Sequence, residues 1–230
     1  MRSRWRWVIP VLAFAGVLGA CGGGGSSGDP VGAGPGAGGD TAAARTVVLQ
    51  QADMPDGWRG VAHSEDDTER ARAAEISTCL GRPDPVTYRS AIVYSPDFSL
   101  AQTQVSAIAT VLNTPQDAAA DLAAIRGPKY GDCVATAFRQ DLQRQAPGAQ
   151  VDTVGSEALP VQSFGDGSVG LRLTADLVYP DHTDRLFADL VYMSKNRTTV
   201  SATFFSFTQP FPSTLEQSLV SRMGNRINTA

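Results

Sequence analysis

The sequence is poor in the residue types that metal centres and nucleophilic active sites most often use. Its 230 residues include only two histidines and three cysteines. No HExxH pair occurs, and the cysteine spacing fits neither a zinc site nor a CxxC redox motif. No GxSxG segment marks the nucleophile of an α/β-hydrolase. The sequence therefore predicts no metal, no cofactor and no recognisable catalytic residue, and we interpret the protein as non-enzymatic.

Long apolar runs and an excess of positive charge are also missing. The longest mostly apolar stretch is about eleven residues, 8–18, whereas a membrane-spanning helix needs roughly twenty. The formal net charge is −4, although three arginines fall within the first six residues. Because an acidic chain does not attract the phosphates of nucleic acid, we expect no nucleic-acid partner.

The basic start and the short apolar stretch are typical of a secretory signal peptide, which we place at residues 1–20. Residues 18–21 read LGAC and resemble a bacterial lipobox, in which the cysteine accepts a diacylglycerol and the leader is cut just before it. Two fatty acyl chains, such as palmitate, give stable membrane attachment. We therefore predict that acylated Cys21 holds the protein at the outer face of the cytoplasmic membrane. The alternative is an ordinary signal peptide with an incidental cysteine.

Residues 21–44 are predicted to form a tether. The segment consists mainly of Gly, Ala, Ser and Pro. Such a composition buries too little apolar surface to offset the entropy of ordering the chain. Residues 45–230, about 185 in number, are sufficient for a single domain with its own core.

Two cysteines remain once Cys21 is acylated. Cys79 falls in the last turn of one predicted helix, and Cys133 falls in the first turn of another. An even number of cysteines in an exported chain usually indicates that they form disulfides. We predict a Cys79–Cys133 disulfide that joins two helix ends; the alternative is two buried thiols.

Hydrophobic spacing predicts both helices and strands. The predicted helices cover 69–80, 114–126, 132–147 and a final segment from 213 onward, and the predicted strands cover 105–112, 168–179, 186–193 and 199–207. The last three strands are joined by short links and should form an antiparallel meander. Because helices and strands are segregated, we predict an α+β fold, with helices packed on one face of an antiparallel sheet in two layers.

The glycine motif and the two histidines give little evidence for a cofactor or metal site. Residues 165–170 read GDGSVG, a literal GxGxxG, but an alternating strand follows where a dinucleotide site needs a helix. We interpret these glycines as a hairpin turn. His63 precedes an acidic stretch and is predicted to lie in a solvated loop. His182 lies between Asp181 and Asp184, which are more typical of a turn than of a calcium loop.

Aromatic residues give the best sequence-level indication of a binding surface. Trp58 is the one tryptophan outside the leader and follows a Pro-Asp-Gly turn. It either fills an edge of the core or lines a binding cleft. Tyr192 and several late phenylalanines make the last strands aromatic on both faces, so one face is a candidate apolar floor. We therefore name Trp58, Tyr192 and Phe205 as candidate ligand-binding residues.

The order of these features resembles that of actinobacterial cell-envelope lipoproteins. The resemblance rests on the lipobox, the tether, the segments QQADMPDGW and CLG, a second cysteine opening a later helix, and a final strand followed by a helix. More distantly, the chain resembles the extracellular sensor domains of mycobacterial receptor serine/threonine kinases and PsbP-like lipoproteins. The resemblance implies a helix-flanked antiparallel sheet with a central cleft, and a sensing or binding role. The kinase sensor domains have two disulfides, whereas one cysteine pair is available here.

The leading hypothesis is a non-enzymatic, lipid-anchored envelope protein that binds a small or lipidic ligand or an envelope-protein partner. Two alternatives stay open. One is a cell-wall hydrolase with an unrecognised site, because the members of a catalytic triad meet only in space. The other is a lipid carrier, which requires a wide apolar cavity between the sheet and the helices.

Overall fold

The computed structural model describes residues 37–64 and 66–229. Within these residues the chain forms five α-helices and eight β-strands, none of the helices being long and apolar enough to cross a membrane. The helices are α1 (Ala37–Val47), α2 (Asp67–Cys79), α3 (Pro115–Arg126), α4 (Tyr130–Gln145) and α5 (Ser213–Thr229). The strands are β1 (Arg59–Val61), β2 (Arg89–Tyr94), β3 (Asp97–Leu100), β4 (Thr103–Leu112), β5 (Gln150–Ala158), β6 (Gly167–Val178), β7 (Thr183–Lys195) and β8 (Thr198–Phe207). The predicted signal peptide, Cys21 and the tether as far as residue 36 lie outside the described residues.

All eight strands belong to one open antiparallel sheet. Its order is β1-β3-β4-β8-β7-β6-β5, and β2 pairs with β4 beside the end of β3. The β6–β7–β8 meander predicted from the sequence is confirmed. At the outer edge, β5 pairs with β6 through a register shift between Val151 and Val154. The domain therefore has the predicted α+β fold.

Alternation of side chains explains why the central strands form as they do. In β6, Leu173 and Ala175 are fully buried, whereas Arg172 and Thr174 on the other side are partly exposed. A strand with this period-two pattern buries one face against a layer of helices.

The short link between β7 and β8 contains Asn196 at a positive φ of 52°, a conformation that asparagine adopts more readily than most residues.

The helices are divided between the two faces of the sheet rather than placed on one. We call the side that carries Val105, Ala107, Val200, Ala202 and Phe204 the core face, and the opposite side the cleft face. Helices α1 and α5 cover the core face, where one large apolar cluster forms. Helix α4 packs on the β5–β6 end of the cleft face, and α2 and α3 lie beside it. The sheet is thus the middle of three layers.

Helix α1 shows that ordered structure begins earlier than residue 45. The predicted tether extends to residue 44, but residues 37–44 belong to α1. Ala44 and Val47 are fully buried against the core face, and the Asp40 carboxylate accepts hydrogen bonds from Ser90 and Arg197, both at 2.6 Å. Small side chains here let the helix approach the sheet closely, so the segment buries apolar surface despite its simple composition.

Candidate binding cleft

A cleft of about 170 Å³ lies between the cleft face and helices α2, α3 and α4. Strands β4, β7 and β8 form its floor, and the three helices with the segment that follows α2 form its walls. The wall side chains are mainly apolar and include Ile76, Leu80, Ile125 and Val134, and Leu190 of β7 adds an apolar side chain to the floor. An apolar concavity with a few polar groups is the usual form of a small-molecule site.

The floor of the cleft carries a row of hydroxyl groups. Thr199, Ser201 and Thr203 alternate along β8, and all three line the cleft. Thr110 of β4 lies directly opposite Thr199, and Tyr192 of β7 lies opposite Ser201. The strand register therefore collects five hydroxyls from three neighbouring strands on one surface.

Tyr192 is the most unusual member of this row. Its side chain is buried, with 7% of its surface exposed, and it lines the cleft. The Thr199 hydroxyl of β8 lies beside the Tyr192 hydroxyl, but among the described residues no contact to the Tyr192 hydroxyl meets the geometry of a normal hydrogen bond. Burial, aided by the negative charge of Asp121, raises the pKa of Tyr192 well above its ordinary value, so the phenol stays protonated. A buried hydroxyl without a partner loses its bonds to water, and a ligand atom would restore one of them.

An ion pair with a tyrosine forms one wall. The Arg82 Nε donates to the Asp121 carboxylate at 2.9 Å, and the Tyr88 hydroxyl donates to the same oxygen at 3.1 Å. The Arg82 guanidinium also lies 5.3 Å from the centre of the Tyr88 ring. Burial raises the pKa of Asp121, although Arg82 opposes that shift. The charges of this group are satisfied within the group itself.

A second ion pair lies deeper in the helical layer. Arg72 lines the cleft, is 3% exposed and donates to the fully buried carboxylate of Asp141. Arg144 donates to the other oxygen of Asp141 from the next turn of α4. This cluster joins α2 to α4, since Arg72 belongs to the first and the other two residues to the second.

The predicted disulfide is present at the same helix pair. Cys79 ends α2 and Cys133 lies in the first turn of α4, with their Cα atoms 5.8 Å apart. Leu80 and Val134, the residues that follow the two cysteines, both line the cleft. The disulfide therefore fixes two walls of the cleft to each other.

The three candidate ligand-binding residues do not come together. Tyr192 lines the cleft, but Trp58 lies in the core-face cluster, 5.9 Å from the ring of Phe211. Phe205 is on the cleft face but beyond the cleft, buried in the cluster beneath α4, where it packs against Phe207. Trp58 therefore fills the core and does not line the cleft, and Phe205 does not line the cleft either.

His63 is more buried than the sequence predicts. Its side chain is 5% exposed, stacks on Tyr94, and has Asp97 at 3.1 Å from Nδ1 and Glu69 at 3.2 Å from Nε2. Burial alone would lower the pKa of His63, but the two carboxylates outweigh it and raise the pKa to about 9. The prediction of a solvated side chain is wrong because Glu69 of α2 and Asp97 of β3 pair with the imidazole and Tyr94 stacks on it. His63 does not line the cleft.

His182 lies in the turn between β6 and β7, as predicted. Its Nδ1 is 2.7 Å from Asp181, its Nε2 is 3.5 Å from Asp184, and its ring stacks on Tyr179. The imidazole is half-exposed and does not line the cleft. Over residues 37–64 and 66–229, no three His, Cys, Asp or Glu side chains are grouped to hold a metal ion.

A buried carboxyl pair lies on the core face beneath α5. Asp189 is fully buried and accepts two hydrogen bonds of 2.6 Å from Arg172. Glu216, in the first turn of α5, is also buried beside Asp189. Burial and the negative charge of Asp189 raise the pKa of Glu216 to about 7. One arginine thus faces two carboxyl groups, and a proton on Glu216 completes the balance of charge.

Comparisons with known proteins give only distant likenesses. No protein-family model matches the chain, and no curated protein matches it. Among solved structures, the chain is similar to LpqN, involved in cell envelope biogenesis of Mycobacterium tuberculosis, at 12% identity and a TM-score of 0.31, over 80% of this chain and 87% of that one. It is similar to the extracellular domain of PknH from M. tuberculosis at 8% identity and a TM-score of 0.38, over 83% of this chain and 97% of that one.

A third likeness is to protein PA94 from Pseudomonas aeruginosa, a protein of unknown function and putative regulator. It has 13% identity and a TM-score of 0.23, over 61% of this chain and 80% of that one. The resemblance seen in the sequence named the same kinds of protein as the two mycobacterial matches. Alignments this distant transfer no ligand, partner or residue role to this chain.

Proposed function

We propose that this protein is a lipid-anchored, extracytoplasmic binding protein that holds a small ligand in the cleft between the sheet and helices α2–α4. The observation that carries the proposal is the Tyr192 hydroxyl, which is buried at the floor of the cleft without a hydrogen-bond partner of normal geometry among the described residues. Buried polar groups are nearly always satisfied, so a lone one in a concave site favours a missing partner.

The polar groups of the cleft favour binding over catalysis. General acid–base chemistry needs a titratable group within reach of the reacting atoms. Asp121 is held by Arg82 and Tyr88, and both histidines lie outside the cleft. The hydroxyls of the floor therefore have no neighbouring imidazole to activate them. A cleft of about 170 Å³ also favours a small molecule over a diacyl lipid, because the pockets that hold even drug-sized ligands measure roughly 300 Å³ or more.

The disulfide and the lipobox support an extracytoplasmic location. Disulfides persist in oxidising compartments and are rare in the cytosol. Cys21 follows a leader with the charge and length of a secretory signal. Both features agree with attachment at the outer face of the cytoplasmic membrane.

The binding proposal is tested by native mass spectrometry of the full chain, purified from membranes in detergent. We expect a bound small molecule in the wild-type protein and its loss in Ala124→Trp, which fills the cleft from α3. The matched control is Ala123→Trp, because Ala123 is exposed and lies outside the cleft. A bound species that survives Ala124→Trp, or an empty wild-type protein, would contradict the proposal. Chemical conversion of the released ligand by the protein would favour the hydrolase instead.

The anchor is tested separately with Cys21→Ala. We expect the wild-type chain to stay with membranes, to begin at Cys21 and to carry acyl mass on that residue. The variant should appear in the soluble fraction. Equal retention of both proteins in the membrane would contradict anchoring through Cys21.

A further inference from the structure

We propose that the cleft selects an uncharged molecule, about the size of one six-membered ring, that carries a hydroxyl or carbonyl oxygen bound by Tyr192. This inference rests on the proposed binding function and adds the chemical class of the ligand. It depends on three properties of the described cleft: the pairing of its charged side chains, the buried Tyr192 hydroxyl, and its volume.

The charged side chains of the cleft are already paired. Arg82 is bound by Asp121, and Arg72 is bound by the fully buried Asp141. An ionic ligand would have to give up its water without gaining a counter-charge, or would have to break one of these pairs. Both changes oppose binding, because a charge that leaves water without a new partner is destabilised. The cleft therefore discriminates against carboxylates, phosphates and ammonium groups.

The Tyr192 hydroxyl sets the polar contact. Its raised pKa keeps the phenol protonated, so it presents a donor to the cleft. Ser201 lies opposite Tyr192 in the strand register, and Thr199 precedes it by two residues on the same face. An oxygen acceptor on the ligand would satisfy Tyr192, and the neighbouring hydroxyls rotate to give or accept a second bond.

The volume and the walls of the cleft determine the size and the apolar character of the ligand. An apolar cavity of about 150 Å³ holds one benzene molecule, and this cleft measures about 170 Å³. Its walls include Ile76, Leu80 and Ile125, whose side chains offer only apolar contacts. A single ring with a small polar substituent fits both the size and the chemistry, since the ring contacts the walls and the substituent reaches the floor.

Three matched probes test the inference on the full chain by isothermal titration: p-cresol, toluene and 4-methylbenzoate. They share one methylated ring and differ only in the substituent, which is a hydroxyl, nothing or a carboxylate. We expect p-cresol to bind about three- to tenfold more tightly than toluene, the gain typical of one net hydrogen bond. We expect 4-methylbenzoate to bind more weakly than either of the others.

Tyr192→Phe isolates the hydroxyl while keeping the ring. This variant should lose the preference for p-cresol and should bind toluene at least as well as the wild-type protein does. The control is Tyr179→Phe, because Tyr179 stacks on His182 outside the cleft and should leave all three affinities unchanged. Thr199→Val provides a second variant of nearly equal volume, and it should reduce the preference for p-cresol by a smaller factor.

The outcomes separate the ligand class from the binding function. Tightest binding by 4-methylbenzoate, or an unchanged preference in Tyr192→Phe, would overturn the ligand class and leave the cleft as a binding site. Binding of none of the probes would also overturn the class. A bound species in the native mass spectrum, lost in Ala124→Trp, would then still support the proposed function, whereas an empty protein would contradict both.

Discussion

The two faces of the central strands contrast most sharply in β8. On the core face this strand presents Val200, Ala202 and Phe204, which are completely or almost completely buried in the cluster beneath α1 and α5. On the cleft face it presents Thr199, Ser201 and Thr203, which line the cleft. The same ten residues therefore contribute a packed apolar surface on one side and a hydroxylated floor on the other.

The two faces of one strand therefore have different roles: the core face contributes to folding stability, and the cleft face contributes to the proposed binding site. Rings such as Trp58, Phe98 and Phe211 fill the core face, and tightly packed interiors leave no room for a ligand. On the cleft face, a disulfide and an ion pair join α2 to α4, and a cavity of about 170 Å³ lies between the helices and the floor. Substitutions on the first face should change folding, and those on the second should change binding.

The largest expected effect comes from the core face. Phe204→Ala removes a fully buried ring and should lower the free energy of unfolding by about 4 kcal/mol. Thr203→Ala, the neighbouring change on the cleft face, should lower it by roughly 1 kcal/mol. Urea denaturation of both variants measures the contrast. Equal losses at the two positions would show that the faces do not divide these roles.

The disulfide should affect both stability and binding. Replacing Cys79 and Cys133 by serine removes a link between residues 54 positions apart and should lower the free energy of unfolding by about 3 kcal/mol. Because the link joins two walls of the cleft, the affinity for p-cresol should also fall. Cys21→Ser is the control, since that residue precedes the described domain. Unchanged binding in the double variant would show that the helices keep their positions without the link.

The carboxyl pair of the core face should make stability depend on pH. The pKa of Glu216 is raised from 4.5 to about 7, so the folded state binds its proton more tightly than the unfolded state does. Stability from this group is present below about pH 4.5 and is lost as pH rises through 7, by up to about 3 kcal/mol. Glu216→Gln should remove this fall, as measured by urea denaturation between pH 5 and 7.

The control for this prediction is Glu75→Gln on the exposed side of α2, which should keep the wild-type slope. His63, with its pKa raised from 6.5 to about 9, gives a separate loss of stability as pH rises above 6.5. Measurements below pH 6.5 therefore report mainly on Glu216, and those between 7 and 9 on His63. A slope below pH 6.5 that survives Glu216→Gln would assign it to other groups.

The smallest expected effect is on the cleft face. Without ligand, Tyr192→Phe should raise the free energy of unfolding by about 1 kcal/mol, because it removes a buried hydroxyl that has no normal hydrogen bond within the described structure. Thermal denaturation of the ligand-free proteins measures this gain. Destabilisation by a similar amount would mean that the hydroxyl is satisfied in the folded protein.

Strong periodic patterns made part of the fold predictable. Alternation in β6, β7 and β8 indicated the meander, and the Thr114-Pro115 pair marked the start of α3. The structure adds a capping box between Thr114 and Asp117. Strand β5 was missed because most of its side chains are exposed and only Val151 is buried. Helix α1 was missed because its alanines gain stability only from contact with the sheet, which composition does not report.

The site was predicted only in part, because residue type and strand alternation do not say where along one face of the sheet the helices leave a cavity. Tyr192 and Phe205 both indicated a binding surface, yet one lines the cleft and the other packs beneath α4. The alternating Thr199, Ser201 and Thr203 were the available signal for a polar floor. Arg72 and Asp141 could not be paired from sequence, since 69 positions separate them and only packing of α2 on α4 brings them together.

The two outermost strands have a consequence for the protein at high concentration. Strand β1 offers only three residues for pairing, and β5 breaks its register and exposes Asp152 and Glu157 along the opposite border. Short, interrupted or charged borders discourage one sheet from extending into the next. Neighbouring molecules should therefore remain separate at high concentration instead of joining into fibrils.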